Sequence, residues 1–317
     1  MIVGKIFLVT VLVVLRLLLP GSILAADRTQ RIRMGFASHA LSLLPFYVAK
    51  ERGFLQKVGL EAEYIQMRTS IAPQAMINGD IHFHTSPSSG IAAAASGLPL
   101  VVVLNLYNGT PWTLVAGKEI NQPQDFIGKK VAISGIRTSS YYFALAGFKK
   151  MGVADKDVGF IFTGGTASSF AALTSNQVAG AVLSPPFDDK AVSLGFKKFL
   201  FLGDLADIPY VGLVTTHSEI RGQRDRVQKM IGALLDAVSW LRSNRVEGVK
   251  MVAEKFKMDQ SEAERSYNTM SGLMTKDGRL SSKMVRGYLD ILRQERPLPP
   301  DLDPQKLTDF SMLPAGR

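Results

Sequence analysis

The chemistry legible in this chain lies in hydroxyl-rich loops. In Ala37-Ser38-His39-Ala40-Leu41, Ser38 and His39 could donate hydrogen bonds to a carboxylate or sulfonate; the same residues also suit a solvated loop before a cap at Ser42. Thr85-Ser86-Pro87-Ser88-Ser89-Gly90 ends a strand-like run and opens a helix-like one, so free backbone N–H groups and the hydroxyls of Thr85, Ser86 and Ser88 could face an anion. Plain capping by Ser88 or Ser89 accounts for the same residues. Gly135 to Ser140 repeats the arrangement with Thr138 and Ser139. Arg137 supplies a fixed cation there, able to grip an oxyanion bidentately or to stand exposed on a turn. Of the tyrosines that follow, Tyr141 or Tyr142 could stack on a planar ligand or pack in the core. Two more polar turns, Thr163-Gly164-Gly165-Thr166 and Ser184-Pro185-Pro186-Phe187, end later strands, and Thr166 and Pro185 are expected to join the same lining. His82 and His84 share one strand face, but no acid stands beside them at ligand spacing, so packing is expected and no metal or other cofactor. The sequence has no phosphate loop, Gly-x-Ser-x-Gly elbow, dinucleotide fingerprint or His-Glu-x-x-His motif, and is read as a binder rather than an enzyme.

These loops need a layered scaffold, and the hydropathy pattern supplies one. Short apolar strands alternate with helical stretches, the signature of α/β architecture. Strands are predicted at 31–36, 61–67, 81–85, 98–106, 130–134, 158–162, 179–184, 198–202 and 211–216. Helices are predicted from Pro45 to about Arg52, at 72–78 and 90–96, from the 135–140 turn to about Met151, and near 168–175. The run Leu-Pro-Leu-Val-Val-Val at 98–103 does not alternate, as a strand buried on both faces should not. From Asp225 onward the chain reads as helical, with Val227, Met230, Ile231, Leu234, Val238 and Leu241 on one face and a capping box at Ser261 and Glu264. The prolines at 297, 299, 300 and 304 suggest an extended strap.

Composition bounds the setting. Residues 1–26 run from a basic start through an apolar stretch to small residues before Asp27, the order of a cleaved signal peptide. Its removal takes Lys5 and Arg16 and no acid, so two of the ten net positive charges go and +8 remain. The chain contains no cysteine, which excludes disulfides, thiolate sites and a lipoprotein anchor, and the expected location is the periplasm. The basic residues are scattered rather than striped, so no nucleic-acid partner is expected; a diffuse positive field favours anionic solutes or simply sets solubility.

Four strings, in order, resemble the substrate-binding proteins of transporters for nitrate, sulfonate, taurine and bicarbonate, together with the thiamine-precursor-binding proteins. They are LPFYVAKERGFLQKVGLEAEY (44–64), QAMINGDIHFHTSPSSGIAAAASGLPLVVV (74–103), INQPQDFIGKKVAISG (120–135) and AALTSNQVAGAVLSPPFDDKAVSLGFKKFL (171–200). The chain departs from the family pattern at His82 and at Asn176 to Ala179, where the family carries structural acids. The resemblance implies a type II periplasmic-binding fold of two α/β lobes: 27–112 with 216–317 as lobe one, 113–215 as lobe two. The hinge would be Tyr107–Trp112 and Val211–Thr216, which brings Tyr107 to the cleft. Loops 37–40 and 85–89 would hold the ligand from one side, 135–140 and 163–166 from the other. It further implies a monomer that hands a small ligand to an ABC permease and its ATPase, touching the membrane only through that permease. A receptor docked on a membrane signalling protein and an exported enzyme on the same scaffold are the alternatives.

Overall fold

The computed structural model describes residues 29–300 and 302–314; the segment read as a signal peptide lies outside the described residues. The chain first lays down β1 (Gln30–Phe36), α1 (Leu44–Glu51), α2 (Phe54–Lys57), β2 (Leu60–Gln66), α3 (Ala72–Ile77), β3 (Phe83–His84), α4 (Pro87–Ala94) and β4 (Leu100–Asn105). A second run follows with β5 (Thr113–Ala116), β6 (Lys130–Ile133), α5 (Ser139–Lys150), β7 (Gly159–Phe162), α6 (Thr166–Thr174), β8 (Gly180–Leu183), α7 (Phe187–Ser193) and β9 (Lys197–Phe201). The chain then returns through β10 (Gly212–Thr216) to α8 (His217–Gly222), α9 (Arg224–Ser243), α10 (Arg245–Phe256), α11 (Gln260–Leu273) and α12 (Ser282–Glu295).

Local sequence explains most of these elements. In β1, Ile32, Met34 and Phe36 point into the core at the period of a strand, while all six residues of β4 are buried because that strand is covered on both faces. Pro45 sits in the first turn of α1, where its missing N–H costs nothing. Gly53 follows at φ 75°, a left-handed position that lets the chain turn straight into α2. The α9 face named above is buried throughout and packs on α1, closing the C-terminal helices onto the first sheet. Two expected caps move. Ser86, not Ser88 or Ser89, caps α4 with Pro87 as the first helical residue, and Asp259, not Ser261, caps α11.

Two five-stranded sheets result, in the orders β2-β1-β3-β10-β4 and β7-β6-β8-β5-β9. Their topology is the same. Each has four parallel strands and one antiparallel strand, β10 in the first and β5 in the second, and that strand is the first one formed after the chain crosses over from the other sheet. This corrects the expected boundary: β10 pairs with β3 and β4, so the second crossing is the stretch 202–211 rather than Val211–Thr216. The strand β5 and the helix α7 escaped the sequence reading, each being too short to show a period.

The two crossings touch. A methyl group on Gly203 would meet the Thr110 carbonyl oxygen and the Phe201 ring, so only a residue without Cβ lets the crossings lie together. Gly203→Ala is expected to destabilise the fold by about 1–3 kcal/mol through this overpacking, measurable as a lowered urea midpoint.

Candidate ligand-binding cleft

A cavity lies between the sheets, at the carboxyl ends of their parallel strands, where open α/β sheets place ligands. Together with the solvent at its open mouth it spans about 550 Å³. From the first sheet come Ser38 and Ser42 after β1, Thr69 after β2, and Thr85 and Ser86 after β3. From the second come Ser134, Thr138, Ser139 and Ser140 after β6, Thr166 after β7 and Ser184 after β8. Trp112 and Tyr210 from the two crossings form the aromatic floor, with ring centroids 5.4 Å apart at 76°. Among the described residues, no ionisable group except the Tyr210 phenol lines it. Burial pushes that phenol up to about 12, against the pull of the neighbouring Ser184 and Ser42 hydroxyls, so it stays a neutral donor.

Many of the hydroxyls have fixed partners. Thr138 donates to the Gly135 carbonyl at 2.7 Å, and Ser140 accepts from the Ser134 N–H at 3.0 Å, which locks the turn at the start of α5. Trp112 donates its indole N–H to Ser139 Oγ at 3.2 Å. Ser86 Oγ accepts the Ser89 N–H at the start of α4. In contrast, α5 and α6 begin without any side-chain cap, and their first residues, Ser139 and Ser140 in the one and Thr166 in the other, line the cleft. Thr166, the first residue of α6, is 3% exposed, and its Oγ1 has no partner among the described residues. A buried hydroxyl left so costs free energy unless something binds it.

The lobes are in contact across this cleft. A Cβ built on Gly165 would lie 2.5 Å from Ser38 Cβ and 2.7 Å from its Oγ. On one flank Tyr142 of α5 donates to Glu295 of α12 at 3.0 Å. On another, Lys190 of α7 donates to the Phe256 carbonyl at the end of α10, and Ser266 of α11 donates to Asp189 at 3.3 Å.

Of the residues singled out from sequence, Ser38, Thr85, Ser86, Thr138, Ser139 and Thr166 line the cavity. Five do not. His39 stays exposed and packs against its own lobe, where Nδ1 pairs with Tyr47 Oη at 2.9 Å and the ring meets Phe36 edge-on; partial burial, then Lys255, holds its pKa below the usual value. Ser88 is buried beside the Ser86 cap. Tyr107 is fully buried against Tyr210, behind the floor rather than on it. Pro185 leaves the lining to Ser184. Arg137 adopts a left-handed backbone (φ 57°), stays exposed and borders a different groove, so the expected cationic grip is not in the cleft. Sequence reasoning missed Thr69, Ser134 and Tyr210, read Ser42 only as a cap, and placed Ser140 and Ser184 in their turns without assigning them to the lining. Ser134 adjoins a turn already singled out, but nothing local marks Tyr210, which reaches the cleft only because 202–211 crosses beside Trp112.

The rings of His82 and His84 are held by the backbone. Each accepts a backbone N–H through Nδ1, from Arg33 at 2.9 Å and from Ser86 at 3.2 Å, and each is pushed down to about 4, chiefly by burial.

Two matching five-stranded sheets, a double crossing and a polar cleft between them define the periplasmic-binding-protein fold. Solved structures agree. The alkanesulfonate-binding protein SsuA from Xanthomonas axonopodis pv. citri, bound to MOPS, superposes with TM-score 0.73 at 18% identity, covering 89% of this chain and 98% of that one. The periplasmic nitrate-binding protein NrtA from Synechocystis PCC 6803 gives 0.69 at 16% identity over 90% and 87%. A DszB variant in complex with biphenyl-2-sulfinic acid gives 0.57 at 12% over 88% and 98%. Among curated proteins no match was found. The family model described as NMT1/THI5 like matches residues 41–247, well over half the chain, and the protein belongs to that family. Fold and family together support a solute-binding role. Among the described residues no helix is long and apolar enough to cross a membrane.

Proposed function

We propose that this protein is the periplasmic solute-binding component of an ABC importer, and that it captures a small organic oxyanion, a sulfonate in the first instance, by closing its lobes. The observation that carries this reading is the pair of uncapped helix starts, α5 and α6, facing one cleft beside the unpartnered Thr166 hydroxyl. Helix N-termini offer aligned N–H donors and positive potential, so an oxyanion can be held without a cationic side chain. Neutral donors from both lobes also suit release, because no buried ion pair must be broken when the cleft opens. The sulfonate, nitrate and sulfinic acid in the names of structural neighbours support the oxyanion class. An occupant that touches both lobes favours the closed arrangement over the open one.

The test is a thermal-shift screen with methanesulfonate, taurine, nitrate, bicarbonate, benzoate and thymine, followed by calorimetry. A ligand that binds only the folded state raises stability with the logarithm of its concentration over Kd. Stabilisation by an oxyanion supports the reading; stabilisation by thymine alone would overturn it. Thr166→Val supplies a second measure. It should weaken the oxyanion by about 2- to 12-fold, the 0.5–1.5 kcal/mol of one net hydrogen bond. The unliganded melting temperature should not fall, since that hydroxyl bonds to nothing in the protein.

A further inference from the structure

A second space opens away from the cleft, between α5 of one lobe and α12 of the other. It is much larger, with about 2210 Å³ of atom-free volume, and it shares no lining residue with the cleft. Its wall is apolar along the middle, where Leu145, Ile291 and Leu205 are half-buried, and Ile136 stands 50% exposed at the mouth. Tyr141 and Tyr142 add an aromatic face. Three cations border it: Arg137 just before α5, and Lys149 and Lys150 in its last turn. None of the three forms an ion pair among the described residues. Two acids also line it, Glu295, which accepts the Tyr142 hydroxyl, and Asp155, which takes the Lys156 N–H at 2.9 Å; three cations against two carboxylates leave one positive charge in excess.

We infer that this groove is a second binding site, for an amphipathic organic anion with an apolar body and a single acidic head. The body covers half-buried aliphatic surface that now faces water, which is favourable in proportion to the area removed. The head pairs with Arg137 at one end of this wall or with Lys149 and Lys150 at the other, cations that form no ion pair among the described residues. The cleft serves neither purpose, being small and without a charged side chain. A twelve-residue helix is about 18 Å long at 1.5 Å per residue, so the wall is long enough for an extended chain of eight to ten carbons.

The experiment uses the full mature chain with 8-anilinonaphthalene-1-sulfonate as the fluorescent probe and decanoate as its competitor, with octan-1-ol as the neutral comparison. Saturable binding of one probe per chain, displaced by decanoate and not by octan-1-ol, is the expected result. Replacing the three exposed cations together (Arg137→Gln, Lys149→Gln, Lys150→Gln) should weaken the probe at least tenfold. Leu145→Glu should abolish binding. If Leu145→Glu does not fold, the triple variant, altered only at the surface, still decides. Thr166→Val, which removes a cleft hydroxyl and leaves the contact between the lobes in place, should leave probe affinity unchanged. Equal affinity in the triple variant, non-saturating binding, or weaker binding in Thr166→Val would each overturn the assignment. Because the probe is itself a sulfonate, these two variants separate the sites: loss confined to the triple variant reports the groove, and loss confined to Thr166→Val reports the cleft.

Discussion

Gly165→Val is expected to weaken the cleft ligand by about 5- to 150-fold while leaving the unliganded protein folded. The backbone at Gly165 is extended (φ 178°), so valine is tolerated there conformationally, and any penalty is steric. That penalty falls between lobes: the new Cβ would sit 2.5 Å from Ser38 Cβ, well inside contact distance. Overpacking of this kind costs about 1–3 kcal/mol. Only the closed arrangement bears it, because separation of the lobes removes the clash, and the stated loss of affinity is that energy converted at about 1.4 kcal/mol per decade. Calorimetry on the variant, beside a melting curve without ligand, gives the two readouts. Ser38→Gly added to Gly165→Val deletes the opposing side chain and leaves the Ala37 carbonyl at 3.3 Å, so the double variant should recover part of the affinity. Unchanged affinity in the single variant would mean that the ligand is bound without this contact.

Acidification from pH 7 to pH 5 should cost about 2 kcal/mol of stability through His84 alone, out of about 3 kcal/mol for its whole shift. The ring is buried, its Nδ1 accepts the Ser86 N–H, and its pKa is pushed down from 6.5 to about 4 by burial. The sign follows from the depressed value of a base. Between about 4 and 6.5 the unfolded chain binds a proton that the folded chain refuses, so stability is full above the unfolded pKa and falls as pH drops toward the folded one. His82, shifted the same way by burial, Arg226 and Arg33, adds to the trend. Urea titrations at pH 7, 6 and 5 on the wild type and on His84→Gln measure it, glutamine having an uncharged acceptor for the same N–H. A pH slope in His84→Gln equal to that of the wild type would remove His84 as its source. Because Ser86 lines the cleft, this loss of stability begins beside the ligand.

The chain shows unevenly how much of such a site is readable in advance. The α9 stripe from Val227 to Leu241 and the unbroken apolar run of β4 were plain, because a buried face imposes its period on every residue it contains. The polar turns after β1, β3, β6 and β7 were also plain, since a strand that runs into a helix must leave unbonded amides at the junction. Which side chain of each turn looks inward was not. Ser38 enters the cleft and His39 beside it does not; Thr138 enters and Arg137 does not. Neighbours in a turn point in different directions, and hydropathy carries no sign of which one is which.

What the sequence determined by itself was the α/β class, the order of elements, and the junctions where donors would gather, all of them properties of ten or so consecutive residues. The tertiary structure decided the rest. It moved β10 into the first sheet and set Tyr210 on the cleft floor. It closed Gly165 onto Ser38 across more than a hundred residues of chain, and it set Arg137 beside a different groove. The reason is physical: a cleft between two lobes is made of contacts between segments far apart in sequence. The neutral, hydroxyl-rich lining of that cleft arises only once both sheets have formed and met.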